Sequence, residues 1–420
     1  MLKYIKSNKT LVNGTLFSLY SFFGQGVSFV LLIILAHYIM PNEYGLLSLF
    51  STVTSVLGLV FGLSSSGYVS VVFFNESRTE FNKDFTCIFI INIITVLIYF
   101  VALISAGPFI SKLLSLPLDV LYLAGFIVLF NKLYQFQQDL HRLKEELKIF
   151  GVLSCSNATL NFLTAIFFVV YLNWSWIGRI YSLVTYSAIF AIISIIYLVK
   201  EKYFDLHDIK KRFVPILKWS LPLIPHLAAN WIKQGLDRYI INDSYTSYDV
   251  GIFSFALNLT SVIITIGVAF NNSNSVTLYQ ILSSNTTNAQ KRNEIDNSVK
   301  EFLYIYLFIS CLVVAGGSIL TPIIFPNYSM AVPYFIILGV YGFLQCVYFL
   351  YCNIFFYYKN TRELMYITFF SALLHLGLSL LLTKYSLYLT AIIYLVSMGV
   401  VDLLVIKLGR KMMLDKLTDK

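Results

Sequence analysis

Twelve apolar runs, each long enough to cross a bilayer as a single helix, leave this chain few ways to fold. They fall near residues 11–36, 45–69, 86–107, 118–136, 150–171, 176–199, 214–242, 248–270, 301–324, 331–355, 363–383 and 386–406. A spanning helix needs about 20 consecutive apolar residues, whereas a barrel strand needs about 10 with alternating polarity. These runs are continuous, so an all-α integral membrane protein of about twelve transmembrane helices is expected. Composition agrees: over 420 residues, 58% are hydrophobic and only 12% charged, against roughly a quarter in soluble domains. Mean hydropathy is +0.76. A soluble enzyme, a disordered chain and a nucleic-acid binder are thereby excluded. The net charge of +9 does not argue for nucleic acid, because Lys and Arg are spread over many short loops. Lys3, Lys6 and Lys9 precede the first run as in a signal peptide. No small-residue cleavage site follows, so an uncleaved first span is expected. The five cysteines form no CxxC pair and have no histidine cluster beside them, and they read as small core residues.

Orientation follows from the basic residues. With the amino terminus in the cytoplasm, most of the 30 Lys and Arg fall in cytoplasmic segments, including Arg78, Lys83, Arg142, Lys148, Lys210 to Arg212, Lys291, Arg362 and Lys411. The bias predicts both termini on that side. The chain also repeats itself. A shift of about 206 residues lays Glu43-Tyr44-Gly45 on Asp249-Val250-Gly251, Ser48 on Ser254, and Thr54-Ser55-Val56 on Thr260-Ser261-Val262. The same place in the second span of each half is matched. Six spans per half put both halves the same way up, which implies two lobes and a substrate site between them. The expected organisation is a six-helix lobe over 1–199, a basic cytoplasmic linker over 200–213, a second six-helix lobe over 214–408 and a cytoplasmic tail over 409–420. The segments 200–213 and 284–300 read as amphipathic and basic, lying either on the inner leaflet or in solvent.

Ionisable groups inside spans cost several kcal/mol and are functional candidates. In the seventh span, His226, Asn230, Lys233 and Asp237 are spaced by four, three and four residues, one stripe at 3.6 residues per turn. Pro222 and Pro225 precede it and bend the helix. Either the stripe faces a wet cavity, or Lys233 and Asp237 only lock the lobe. Lys132 shares a face with Gln135 and either lines the cavity or snorkels to the surface. Arg179 has the same two readings. Asp402 either bridges to Lys407 or carries a proton. Gln25, Asn92, Asn157, Asn161, Asn258, Gln345 and His375 are scattered and read mainly as interhelical hydrogen-bonding groups.

Walker A, GxSxG, HExxH and EF-hand patterns are absent. The outer loops are short, which argues against a polymerase or another membrane enzyme of polysaccharide assembly. A cation-coupled drug antiporter remains the other alternative, but it calls for acidic groups where this chain has basic ones. The segment Leu217 to His226, followed by Asp237-Arg238-Tyr239-Ile240-Ile241 and Val250-Gly251-Ile252-Phe253-Ser254, resembles the polysaccharide flippases of the Wzx type. Leu35-Ala36-His37 to Glu43-Tyr44-Gly45 and Trp176-Ile177-Gly178-Arg179 carry the same resemblance, with His37 standing where many relatives have Arg. The resemblance implies a V-shaped pair of six-helix bundles like those of multidrug and toxic-compound extrusion proteins, in a bacterial cytoplasmic (inner) membrane. It implies an undecaprenyl-pyrophosphate-linked O-antigen or capsule repeat unit as substrate, delivered to polymerase and chain-length machinery. No bound cofactor is expected. Lys132, Arg179, Lys233 and Arg238 are the cations available for the pyrophosphate, with Asn230 beside them. A proton or sodium gradient would drive turnover, and His226, Asp237 and Asp402 are the ion-coupling candidates.

Overall fold

Long apolar runs become long helices, and the breaks between them fall where the backbone chemistry changes. The computed structural model describes residues 9–224, 228 and 231–417, with the side chains of 9–18, 21, 233, 234 and 417 set aside. All regular structure among these residues is helical. In chain order the helices are α1 (Lys9–Tyr38), α2 (Pro41–Val60), α3 (Ser66–Asn75), α4 (Arg78–Leu114), α5 (Leu118–Leu143), α6 (Leu147–Ala165) and α7 (Ser175–Lys200). They continue as α8 (Ile209–Ser220), α9 (Asp237–Ser244), α10 (Ser247–Ser283), α11 (Asn288–Ile324), α12 (Val332–Tyr357), α13 (Thr361–Leu382) and α14 (Leu387–Leu417). Ten helical segments among the described residues are long and apolar enough to span a membrane, and Phe22–Tyr38 of α1 adds a shorter apolar helix. The chain is thus a multi-pass membrane protein. It divides into two compact units, Met1–Ala228 and Ala229–Lys420.

The repeat seen in the sequence has a physical counterpart at two helix starts. The N–H of Met40 donates to Glu43 Oε2 (3.4 Å), and the N–H of Thr246 donates to Asp249 Oδ2 (3.1 Å). Each acid sits in the first turn, where it satisfies an otherwise orphaned donor and complements the helix dipole. Ser48 and Ser254, one turn further on, are both buried.

The second run does not form one helix. It breaks at residues 61–65, where Gly62 has φ +77° and Leu63 and Ser64 are also left-handed. A Cβ at Gly62 would overlap the Asn92 side chain at 2.4 Å, so glycine is required on both counts. The freed Gly62 N–H donates to Thr95 Oγ1 (2.9 Å), which keeps the break satisfied inside the apolar unit.

The basic segment after α7 follows the surface of the first unit. It is pinned to the start of α4. Tyr203 is fully buried, with the Arg78 guanidinium 3.9 Å above its ring. Asn82 donates to the Lys202 carbonyl (2.9 Å), and the Asp205 N–H donates to Thr86 Oγ1 (2.8 Å). Arg212 bridges Glu80 and Asp84, the latter at 2.6 Å. The His207 backbone N–H, and then its ring, hold the Asp205 carboxyl below its ordinary range. Phe81, Phe85, Phe136, Leu140, Tyr203 and Ile216 close the apolar core beneath this clasp. The linker and the start of the seventh run therefore pack with the first unit. The basic segment 284–300 is likewise no separate strip: Thr287 caps α11, which runs unbroken into its span. At the carboxyl end, α14 continues through residue 417, and Arg410 donates to the Tyr351 hydroxyl (3.2 Å).

Candidate functional site

A cavity of about 470 Å³ opens inside the first unit between α2, α5 and α7. Lys132 and Arg179 both line it, with Asn131 and Gln135 from α5 and Ser51, Thr54 and Ser55 from α2. No acidic residue is among its lining residues. Two cations facing one low-dielectric space without a carboxylate repel each other and attract an anion. Lys132 makes no hydrogen bond or ion pair among the described residues; Asp139, the nearest acid along its helix, pairs with Arg142 at 2.8 Å.

Arg179 is held in place by neutral groups. Its Nη1 donates to Asn161 Oδ1 (2.7 Å) and to Ser182 Oγ (3.2 Å). The remaining guanidinium hydrogens keep their charge for the cavity, and planar forked donors suit phosphate oxygens. Gly178 sets where this helix turn can sit. A Cβ there would lie 2.8 Å from the Phe168 carbonyl oxygen and 2.9 Å from Trp174 Cβ. The helix before it widens into a π turn over Ile166–Tyr171, which brings the Phe168 carbonyl close.

The hydroxyls of α2 spend their hydrogens on their own helix. Ser51 donates to the Leu47 carbonyl (2.8 Å), while Thr54 (2.9 Å) and Ser55 (2.8 Å) donate to that of Ser51. Their oxygens stay available as acceptors. The Asn131 and Gln135 amides make no hydrogen bond among the described residues. The cavity therefore offers cations for an anion and both donors and acceptors for hydroxyls. Asn161 makes the interhelical hydrogen bond expected of it, whereas the α2 hydroxyls were not singled out by sequence reasoning. A signal existed for the hydroxyls, since Ser51, Thr54, Ser55 and Gly58 make one small polar stripe at helical spacing.

The other candidates lie elsewhere. His226 and Asn230 fall outside the described residues, as does the side chain of Lys233. Residues Ile232–Leu236 form a π turn, not an α-helical one. Asp237 follows this turn, and it alone of the expected stripe has a described side chain. That residue is 1% exposed and faces His375 of α13, with Nε2 2.7 Å from Oδ2. Arg238 belongs to the second unit, where its Nε donates to Ser254 Oγ (3.2 Å). Asp402 is buried, forms no bridge to Lys407, and leaves both carboxyl oxygens without a hydrogen-bond partner among the described residues. Asp402 sits on the inward face of α14, and Lys407, five residues on, lies off that face in the exposed set.

Ser397, His375 and Asp237 have the residue types of a hydrolytic triad. All three are at most 3% exposed, and Ser397 also hydrogen-bonds the Tyr394 carbonyl (3.1 Å). That burial does not suit a hydrolytic serine, and the trio is a buried hydrogen-bonded network of the second unit.

Known proteins related in sequence and known proteins related in structure are of different kinds. A family model described as polysaccharide biosynthesis protein matches residues 11–284. The capsular polysaccharide biosynthesis protein CapF of Staphylococcus aureus is 24% identical over 287 residues, 67% of each chain. Among solved structures, the inward-facing conformation of a multidrug resistance MATE family transporter of the MOP superfamily superposes with a TM-score of 0.74. It is 14% identical, over 93% of this chain and 96% of that one. The lipid II flippase MurJ in an inward closed conformation gives a TM-score of 0.68 at 16% identity, over 96% of this chain and 91% of that one. At these identities the two structures establish a shared fold.

Proposed function

The chain belongs to the polysaccharide biosynthesis protein family, and from that membership we propose that it is a flippase for lipid-linked oligosaccharide repeat units. The observation that carries this reading is the acid-free cavity shared by Lys132 and Arg179. An undecaprenyl pyrophosphate sugar presents two phosphates followed by hydroxyl-rich rings. The two cations suit the phosphates, and the α2 hydroxyls with the Asn131 and Gln135 amides suit the sugars. The polyprenyl tail stays in lipid, so the protein needs to shield only the polar head. The relatives support this choice: CapF is a capsule biosynthesis protein, and MurJ is a flippase whose cargo is lipid II.

In this reading loading is on the cytoplasmic leaflet and release on the outer leaflet of a bacterial cytoplasmic membrane, by alternating access of the two lobes, in keeping with the topology read from Lys and Arg. Export of completed repeat units would feed the enzymes that join them. A drug antiporter on the same fold would select organic cations, and a cavity lined by two cations disfavours them.

The test is deletion of the gene in its own host, with both leaflets analysed for lipid-linked sugar. Completed repeat units trapped on the inner leaflet, with surface polysaccharide lost, are the expected result. Normal surface polysaccharide with new sensitivity to cationic drugs would refute the reading in favour of the antiporter. Units reaching the outer leaflet without being joined would refute it in favour of a polymerase.

A further inference from the structure

We propose that Asp237, His375 and Ser397 form a one-proton coupling site that latches the seventh span to the eleventh and twelfth. This rests on the flippase reading and supplies its driving ion. The three residues sit on α9, α13 and α14, and are 1%, 1% and 3% exposed. His375 Nε2 lies 2.7 Å from Asp237 Oδ2, and its Nδ1 lies 3.0 Å from Ser397 Oγ. It is the one buried acid–base pair in the second unit among the described residues.

The hydrogen bonds close in two ways that differ by one proton. In the first, Ser397 donates its hydroxyl hydrogen to the Tyr394 carbonyl, 3.1 Å away. Its oxygen then accepts from Nδ1–H, and one further proton lies between Nε2 and Oδ2. The pair is neutral overall. In the second, the Nδ1 proton has left to water. Ser397 turns its hydrogen to the bare Nδ1, and Nε2–H donates to a carboxylate. Every named group is still satisfied, but the site now holds a net negative charge. Rotation of one hydroxyl separates the states, and no oxidant or second reactant is needed.

The surroundings make that charge count. The Tyr394 ring packs edge-on against His375 with centroids 4.8 Å apart, and Tyr341 of α12 packs on Tyr394 at 5.1 Å. The Tyr394 hydroxyl and the Asp237 carboxyl meet in the same buried space. The charged group nearest the site is Arg238, which donates to Ser254 of α10, while Lys384 beyond α13 is exposed over the Tyr385 ring at 5.1 Å. Tyr245, at the end of α9, donates to the Thr383 carbonyl (2.9 Å) and ties the same elements together. A net charge in so apolar a place is costly, so loss of the proton favours an arrangement that admits water between these helices. The adjoining π turn at Ile232–Leu236 is a natural place for the seventh span to yield.

Hydrogen exchange on the purified protein, read by mass spectrometry from about pH 5 to about pH 9, tests the latch without any substrate. After correction for chemical exchange, residues 231–244 and 361–382 are expected to lose at least about tenfold protection as pH rises, a shift of roughly 1.4 kcal/mol. The first unit is expected to stay unchanged. The double variant Asp237→Asn/His375→Gln keeps a hydrogen bond but has no proton to lose, and its exchange is expected to be flat. Equal pH dependence in wild type and double variant overturns the proposal. If the double variant does not fold, loosening spread evenly over both units of the wild type overturns it equally. In vesicles, a proton gradient is expected to speed wild-type flipping about tenfold or more and to leave the double variant unaffected. A response to sodium in place of protons, or one retained by the double variant, refutes the site while leaving the flippase standing. Absence of flipping with an intact pH-dependent latch refutes the flippase reading instead.

Discussion

Replacing Gly178 by Ala should damage the protein far out of proportion to one methyl group, and replacing Gly58 by Ala should not. Both glycines belong to the neighbourhood of the cationic cavity. At Gly178 the new carbon would sit 2.8 Å from the Phe168 carbonyl oxygen and 2.9 Å from Trp174 Cβ. Carbon contacts settle near 3.5–4.0 Å, so the start of α7 must move by about half an ångström or more. Such overpacking costs typically about 1–3 kcal/mol. In a unit of this size, Met1–Ala228, each kcal/mol lowers Tm by about 2–4 °C. The expected fall is therefore about 2–12 °C in detergent. Because Arg179 is the next residue, the same movement stretches its 2.7 Å bond to Asn161 and withdraws the guanidinium from the cavity. Export should fall with it. At Gly58, which lines the cavity, nothing lies within 4 Å of a built Cβ. Removing a glycine from this last helical turn (α2 ends at Val60) should leave stability unchanged or raise it by up to about 0.5 kcal/mol. Tm would be followed by thermal unfolding in detergent, and export by complementing a deletion strain at matched protein level. An unchanged Tm and normal export in Gly178→Ala would refute the argument that this glycine places Arg179.

Lys132→Ala and Arg179→Ala should each cut export about 10- to 100-fold without lowering protein level, since hydrogen bonds to charged groups contribute about 1.5–3 kcal/mol. Arg179→Lys should recover only part, because it keeps the charge and loses the fork. Normal surface polysaccharide in all three would remove the anion-site reading. Tyr203→Ala should destabilise the first unit by about 3–5 kcal/mol, as for other large buried aromatics, and should free the linker to proteases; an unchanged cleavage pattern would show that the clasp does not hold it. Single cysteines at Lys112 and His207, both exposed, should label from the outer and cytoplasmic sides respectively, and the reverse pattern would invert the topology.

The sequence alone determined the class, the helical spans and the internal repeat. Those properties are local. A run of about 20 apolar residues has to become a helix in lipid, and an acid three residues into a helix finds its own N-cap, as Glu43 and Asp249 both do. The break at Gly62 was less legible, because Ser64-Ser65-Ser66-Gly67 looks as helical as its neighbours once apolar residues surround it. Only the tertiary structure decided which polar groups meet. Lys132 and Arg179 were both candidates, but either could have snorkelled; their convergence depends on how α2, α5 and α7 pack. His375 finds Asp237 across 138 positions, and no spacing along the chain implies that pairing. In a soluble protein the apolar face of a helix tells which side is buried. Here lipid and protein core are equally apolar, so hydropathy marks where a helix runs and is silent about which way it faces.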